Sequence, residues 1–328
     1  MEFRTAVKIE RSPATITYND PVMFIGSCFA QEIGERLFMG KMPVFINPAG
    51  TVYNPISVIN TLGMIISGKE IKKEDITFYK GTWLSFLHYT DFTSDDPSIL
   101  LERINARSAE ALRFLKQSHF LFVTFGTARV FRLKETGRIV SNCHKLPPSY
   151  FERELLDVDY IVSSWNKQLD ELQAVFPDLK VIFTISPVRH WKDGAHGNQV
   201  SKSVLFLAVE ELLKHSSSPL YFPAYEIIMD DLRDYRFYKE DMIHPSEVAV
   251  GYIWDAFCRS YLDDITISAL KEVSKISEAM KHRIREENSP ATKEFARNML
   301  NRISQVNEKY PYIDFSREKI YFSSITNG

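Results

Sequence analysis

The chain has 328 residues, with 45% hydrophobic and 25% charged side chains and a formal net charge of −2. That is the balance of a globular protein able to bury a sizeable core without metals or disulfides. The absence of a long basic run argues against a nucleic-acid footprint or a polybasic membrane anchor, and no run of about 18 apolar residues offers a spanning helix.

Cys28, Cys143 and Cys258 are too few and too scattered for a disulfide framework or a zinc site. The first twenty residues carry no apolar stretch after their early charges, so they do not read as a secretory signal, and the expectation is a cytoplasmic protein.

In chain order, Val22 to Ile25 (VMFI) is a short buried strand closed by Gly26. Phe29 to Met39 then shows helical spacing, with Phe29, Ile33 and Leu37 on one face. Val44 to Ile46 is a second strand, ending in the turn-rich Asn47-Pro-Ala-Gly50, and a helix begins near Pro55. An extended aromatic piece follows from Thr82 to Tyr89, then a helix over Pro97 to Lys116. His119 to Phe125 (HFLFVTF) is the clearest buried strand, closed by Gly126. Val130–Leu133 and Arg138–Val140 flank a hairpin turn at Gly137. Asp157 to Phe176 is helical, Lys180 to Ile185 (KVIFTI) is a buried strand, Gln199 to His215 is helical, and Leu220 to Phe222 is a brief strand. A helix is expected from Pro245 to about Tyr261.

Short apolar strands alternating with amphipathic helices predict an α/β fold, a mostly parallel sheet covered on both faces. Beyond residue 262 the composition turns polar and charged, with helical segments over Asp263–Glu287 and Thr292–Lys309 joined by Asn288-Ser-Pro290. The expected division is therefore a catalytic domain over 1–262 and a C-terminal helical extension over 263–328.

In such a sheet, ligands bind at the carboxyl ends of the strands. The chemically suggestive residues fall there: Ser27, Gly50, Gly126 and the run Ser186-Pro-Val-Arg-His190. A serine hydroxyl needs a base within reach and donors for an oxyanion. Ser27 stands where strand gives way to helix, a place that equally suits a plain N-cap. Asp241-Met-Ile-His244-Pro-Ser246 offers the base: an Asp three residues before a His can hold one ring nitrogen and leave the other to take the serine proton. Cys28 is a rival nucleophile, though adjacent residues in a turn point in different directions. Asn47, Asn54 and Thr127 are candidate oxyanion donors, and Asn142, His144, Arg189 and His190 are candidate substrate contacts. The histidines lack H-x-x-x-H or H-E-x-x-H spacing, so neither a metal nor any other cofactor is expected.

At these residues the sequence resembles the GSCFA family, whose pentapeptide stands here as Gly26-Ser27-Cys28-Phe29-Ala30. The resemblance extends through Asn47 to Pro55, Gly126-Thr-Ala, Asn142-Cys-His-Lys145, Ser186 to His190 and Asp241-Met-Ile-His-Pro245, roughly residues 21 to 258. It implies a branch of the SGNH/GDSL hydrolases, with a flavodoxin-like sheet, Ser27 as nucleophile, and Asp241 and His244 as the base pair. Gly50 resembles in placement the glycine whose backbone N–H donates to the oxyanion. The departure is at Gly126-Thr127-Ala128, where SGNH enzymes carry Gly-x-Asn.

The expected function is a serine-dependent esterase cleaving O-acyl, foremost O-acetyl, esters on a small molecule or glycan. An acyltransferase using the same residues and a non-catalytic scaffold on a decayed hydrolase core are the alternatives. The aromatic stretches Thr82–Tyr89 and Asp234–Tyr238 are candidate stacking walls for a sugar.

Overall fold

Val22–Gly26, with all five residues buried, is the strand on which the rest is laid. The computed structural model describes residues 4–281 and 289–327. Its first half runs β1 (Val22–Gly26), α1 (Cys28–Met39), β2 (Val44–Ile46), α2 (Pro55–Ser67), β3 (Thr77–Tyr79), β4 (Thr82–Leu84), β5 (Thr93–Ser94), α3 (Pro97–Leu115) and β6 (Phe120–Phe125). It continues through β7 (Arg129–Leu133), β8 (Ile139–Val140), β9 (Phe151–Leu155), α4 (Val158–Val175), β10 (Lys180–Ile185), α5 (Gly194–Leu212), β11 (Leu220–Phe222), α6 (Ala224–Glu226) and α7 (Glu247–Tyr261). Then come α8 (Asp264–Ala279), α9 (Pro290–Lys309) and α10 (Ser316–Asn327).

The central sheet has the order β11-β10-β6-β1-β2, with every pairing parallel. Counting only these five strands along the chain, this is the 2-1-3-4-5 order of flavodoxin-like folds. The expected fold class is the one observed. Alternate residues point to opposite faces, and the pleat sorts the core into two layers. Val22 and Phe24 join Phe29, Ile33 and Leu37 of α1 and Ile253 and Phe257 of α7. Met23 and Ile25 join Val58 and Leu62 of α2, Trp165 of α4 and Leu205 of α5.

Two small antiparallel sheets flank this layer, β3-β4-β5 and β8-β7-β9. The hairpin around Gly137 is present, but β9 had no sequence signal. Only one of its five residues, Phe151, is buried, so it lacks an apolar run. Helix α5 starts at Gly194, five residues ahead of the expected Gln199, because Gly-Ala-His-Gly reads as loop. Helix α7 starts at Glu247 with Ser246 as its N-cap, so Pro245 precedes the helix instead of opening it. Pro245 forms an isolated antiparallel bridge with Tyr238. Helix α10 was not anticipated, and the expected helical stretch past residue 281 and the joint at Asn288 lie outside the described residues. Among the described residues no helix is long and apolar enough to cross a membrane.

Residue 262 marks the passage from α/β to all-helical chain, yet the hydrophobic core does not stop there. Ala269, Leu270, Val273 and Ile276 of α8 pack in the same cluster as Ile33 and Leu37 of α1, together with Ile303, Phe315 and Phe322 from the later segments. Gly40, at the end of α1, is pressed so closely that a Cβ there would meet Leu270 Cδ2 at 1.9 Å. Ser277 Oγ donates to Met39 O at 2.8 Å, and Lys41 pairs with the buried Glu318 at 2.8 Å. Ending the chain at Leu262 is therefore expected to expose the apolar faces of α1 and α7 to water and give an aggregating or molten protein. Near-UV circular dichroism and size-exclusion chromatography would check this; a monomer that still unfolds cooperatively would contradict it.

Candidate active site

The switch point of a flavodoxin-like sheet lies between its first and third parallel strands, here β1 and β6. Gly26 pairs with Thr124 across that boundary, with φ +147°, and a Cβ at Gly26 would lie 2.3 Å from Thr124 O. Only glycine tolerates that approach and that dihedral. The chain then turns at once, and Ser27 becomes the N-cap of α1, its Oγ accepting from Phe29 N at 3.3 Å. The N-cap reading of Ser27 is thus true, and its hydroxyl also stands at the mouth of a helix whose first amides have no intrahelical acceptor. Cys28 occupies the first of those positions.

A cavity of about 260 Å³ opens here, lined by Ser27, Cys28, Tyr53, Gly126, Ser186, Val188, Arg189, His190, Trp191, Lys192, Ile243 and His244. It lies at the carboxyl ends of β1, β6 and β10 and takes its last wall from the loop before α7. That loop is held by Asp241. Its Oδ1 accepts from Ile243 N and His244 N, both at 2.9 Å, and its Oδ2 meets His244 Nδ1 at 2.6 Å. Met242 adopts a left-handed φ of 58° to close the turn. A carboxylate only accepts, so Nδ1 carries the proton and Nε2 is left with a lone pair. The His244 and Ile243 amides and the imidazole hold the Asp241 carboxyl down to about 2. It is therefore an anion wherever an imidazole titrates.

Cys28 shares the cavity. Burial, aided by the charge of Glu32, pushes its thiol up, which keeps it protonated at neutral pH and weakens it as a nucleophile.

Of the oxyanion candidates, none lines this cavity, and each is engaged in structure. Gly50 donates its N–H to Asn47 O at 2.8 Å, and its missing Cβ makes room for Tyr89. Asn47 accepts from Gly26 N at 2.9 Å through Oδ1, which fixes the turn before Ser27, while its Nδ2 is buried without a partner. Asn54 caps α2, accepting from Ser57 N and donating to Ser57 Oγ. Thr127 shares a hydrogen bond with Ser201 Oγ and accepts from Arg129 N.

Arg189 and His190 are brought to the cavity; Asn142 and His144 are not. Asn142 bonds Thr90, and His144 Nε2 meets Ser85 O at 2.8 Å. They belong to a second cluster in which the buried Ser85 and His88 are paired at 2.8 Å. Neither aromatic stretch lines the cavity; its aromatic walls are Tyr53 and Trp191. Among the described residues no group of three or more His, Cys, Asp or Glu side chains is placed to hold a metal ion.

The GSCFA family model matches residues 21–257, well over half the chain. The chain belongs to the GSCFA family. A second model, for the C-terminal domain of GSCFA domain proteins, matches residues 273–327. No curated protein matches the sequence. Among solved structures, a protein from Parabacteroides merdae described as GDSL-like lipase aligns with a TM-score of 0.37 at 9% identity, over 78% of this chain and 98% of that one.

In this GSCFA core, sequence reasoning missed Lys202. It is fully buried, and its Nζ donates to Gly126 O at 2.8 Å and Ser186 O at 2.7 Å, the residues that directly follow β6 and β10. Burial pushes the ammonium down to about 7, opposed by the nearby Cys28 and reinforced by Arg189. One signal was available: Lys202 shares a face with Leu205 and Val209, which put a lysine in the buried stripe of α5.

Replacing Lys202 by Met should destabilise the fold, roughly 1–3 kcal/mol for each buried carbonyl left without a donor, less the gain from the apolar side chain. The pH dependence gives a second readout. Between the folded value of about 7 and the ordinary value of 10.5, the unfolded chain binds a proton that the folded one does not, so this group makes stability rise with pH across that window. Urea midpoints at pH 7 and 8.5 should rise more in wild type than in Lys202→Met.

Proposed function

We propose that this protein is a serine-dependent hydrolase that cleaves O-acyl esters through an acyl-enzyme on Ser27. The observation that carries the reading is that one cavity is walled both by the N-cap serine of α1 and by an imidazole whose Nδ1 is committed to a carboxylate. Those are the separate requirements of a serine triad: a nucleophile, a base with one free nitrogen, and a group that sets its tautomer.

As Ser27 Oγ attacks the ester carbonyl carbon, His244 Nε2 takes its proton and Asp241 stabilises the resulting imidazolium. The carbonyl oxygen becomes an oxyanion, for which the Cys28 N–H at the first position of α1 is the nearest class of donor, supported by the helix dipole. Asn47 is the one side chain among the oxyanion candidates whose amide nitrogen has no partner, and it stands directly behind the Ser27 turn. Collapse of the tetrahedral adduct expels the alcohol, which takes its proton from His244. Water, deprotonated by the same imidazole, then releases the acid and restores Ser27. With Ala128 standing where SGNH enzymes carry the Asn of Gly-x-Asn, the weight of oxyanion binding falls on the Cys28 N–H and the helix terminus. An O-acetylated carbohydrate is the first substrate class to test, with Tyr53 and Trp191 as the rings available to stack on a sugar.

Ser27→Ala is expected to abolish both ester turnover and labelling by a fluorophosphonate probe, while Cys28→Ala keeps most of both. Treatment with EDTA should change neither. If Cys28→Ala alone destroys labelling in a folded protein, the nucleophile is the wrong neighbour.

Because the Asp241 carboxyl is held at about 2, its charge, and with it the hold on His244 Nδ1, is constant across the neutral range. Asp241→Asn should lower the plateau on the order of 10³-fold or more, since the ring loses its orienting partner. A pH–rate profile of both proteins with one activated ester decides this; coinciding plateaus would remove Asp241 from the mechanism.

A further inference from the structure

The loop after β10 holds an imbalance of charge. Its carboxylate, Asp193, turns away from the cavity to pair with Arg153 and, at 3.5 Å, with Arg129. Among the described residues Arg189 has no such partner, and its Nε is buried without a hydrogen bond. Its guanidinium stacks on Trp191, 4.9 Å from the ring centroid, which orients the planar fork and leaves its N–H edge for a ligand. Lys192 adds a second cation, and no Asp or Glu stands among the residues that line this cavity. Burial, with the Lys202 ammonium adding to it, holds His190 down to about 4, so that it is a neutral donor or acceptor.

We propose that this cavity carries an anion subsite, in which Arg189, backed by Trp191 and Lys192, binds a carboxylate on the acyl or alcohol part of the ester. The proposal rests on the reading of this cavity as the substrate site, and it narrows the substrate to anionic esters. A stacked guanidinium is the group best suited to a planar anion, because its two parallel N–H donors match the two oxygens. A neutral carbonyl offers the guanidinium one uncharged acceptor, whereas a carboxylate supplies two acceptor oxygens and the opposite charge, so the preference for the anion rests on a charge-assisted, two-point contact.

The test uses benzoate and its neutral isostere benzamide on the full-length wild-type protein, followed by the fluorescence of Trp191 against a Trp191→Phe control. Benzoate should bind at least tenfold more tightly than benzamide, and raised salt should weaken only the benzoate complex. Arg189→Met, checked for fold by circular dichroism, should lose the preference, while Arg189→Lys should keep part of it. Equal affinity for the two probes, or an undiminished preference in Arg189→Met, overturns the subsite. Ligand binding requires no turnover, so loss of the Ser27 chemistry would refute the hydrolase reading without touching this result, and the converse also holds.

Discussion

The close approach of β1 to β6 at the switch point governs the site. Gly26 has no room for a side chain against the Thr124 carbonyl, so the strand must end in glycine and turn at that level. The turn delivers Ser27 to the N-cap of α1 and stations the helix amides beside it. Asn47 braces the same point from the end of β2 by accepting the Gly26 N–H. Ser27, helix terminus and strand ends are thus one mechanical unit. A shift in the β1–β6 register by one residue would turn Phe24 and Ile25 to the opposite layers and lose both core and site.

Beneath that unit lies a buried lysine. Lys202 joins the Gly126 and Ser186 carbonyls, which directly follow β6 and β10 and line the cavity. Burying an ammonium is costly unless its protons find acceptors. Here it uses carbonyls that the ends of parallel strands would otherwise leave unpaired, so one residue answers two problems of the architecture. Its charge also colours the site. Burial and this ammonium hold His190 down, and the residues that line the cavity include Arg189 and Lys192 but no Asp or Glu.

The C-terminal helices act from the other side of the sheet. They cover α1 and α7, the two elements that place Ser27 and follow His244, and they are tied in by Leu270 against Gly40 and by the Lys41–Glu318 pair. The two family models divide the chain near residues 257 and 273, while the apolar cluster runs across that division. The extension is therefore a layer of the fold, and its polar composition reflects a single exposed face on each helix.

Much of the architecture was legible in the chain itself. Val22–Gly26, Phe120–Phe125 and residues 181–185 are buried at every position, the near-continuous apolar pattern of parallel strands covered on both faces. Ser27 after a glycine and Asp241 three residues before His244 are local arrangements, so their roles as N-cap and as ring partner followed from spacing alone. What spacing did not reveal was the use of groups whose partners are distant in sequence. Gly50, Asn54 and Thr127 read as free donors, yet each is absorbed by a turn, a helix cap or a hydroxyl 74 residues away. Asn142 and His144 read as site residues and belong to another cluster. Lys202 was not singled out and joins two residues that line the cavity, because only the assembled sheet brings the Gly126 and Ser186 carbonyls to it from 76 and 16 residues away. Local hydrogen bonds and hydrophobic period are written in the order of residues; which distant polar groups satisfy one another is decided when the layers close and water leaves.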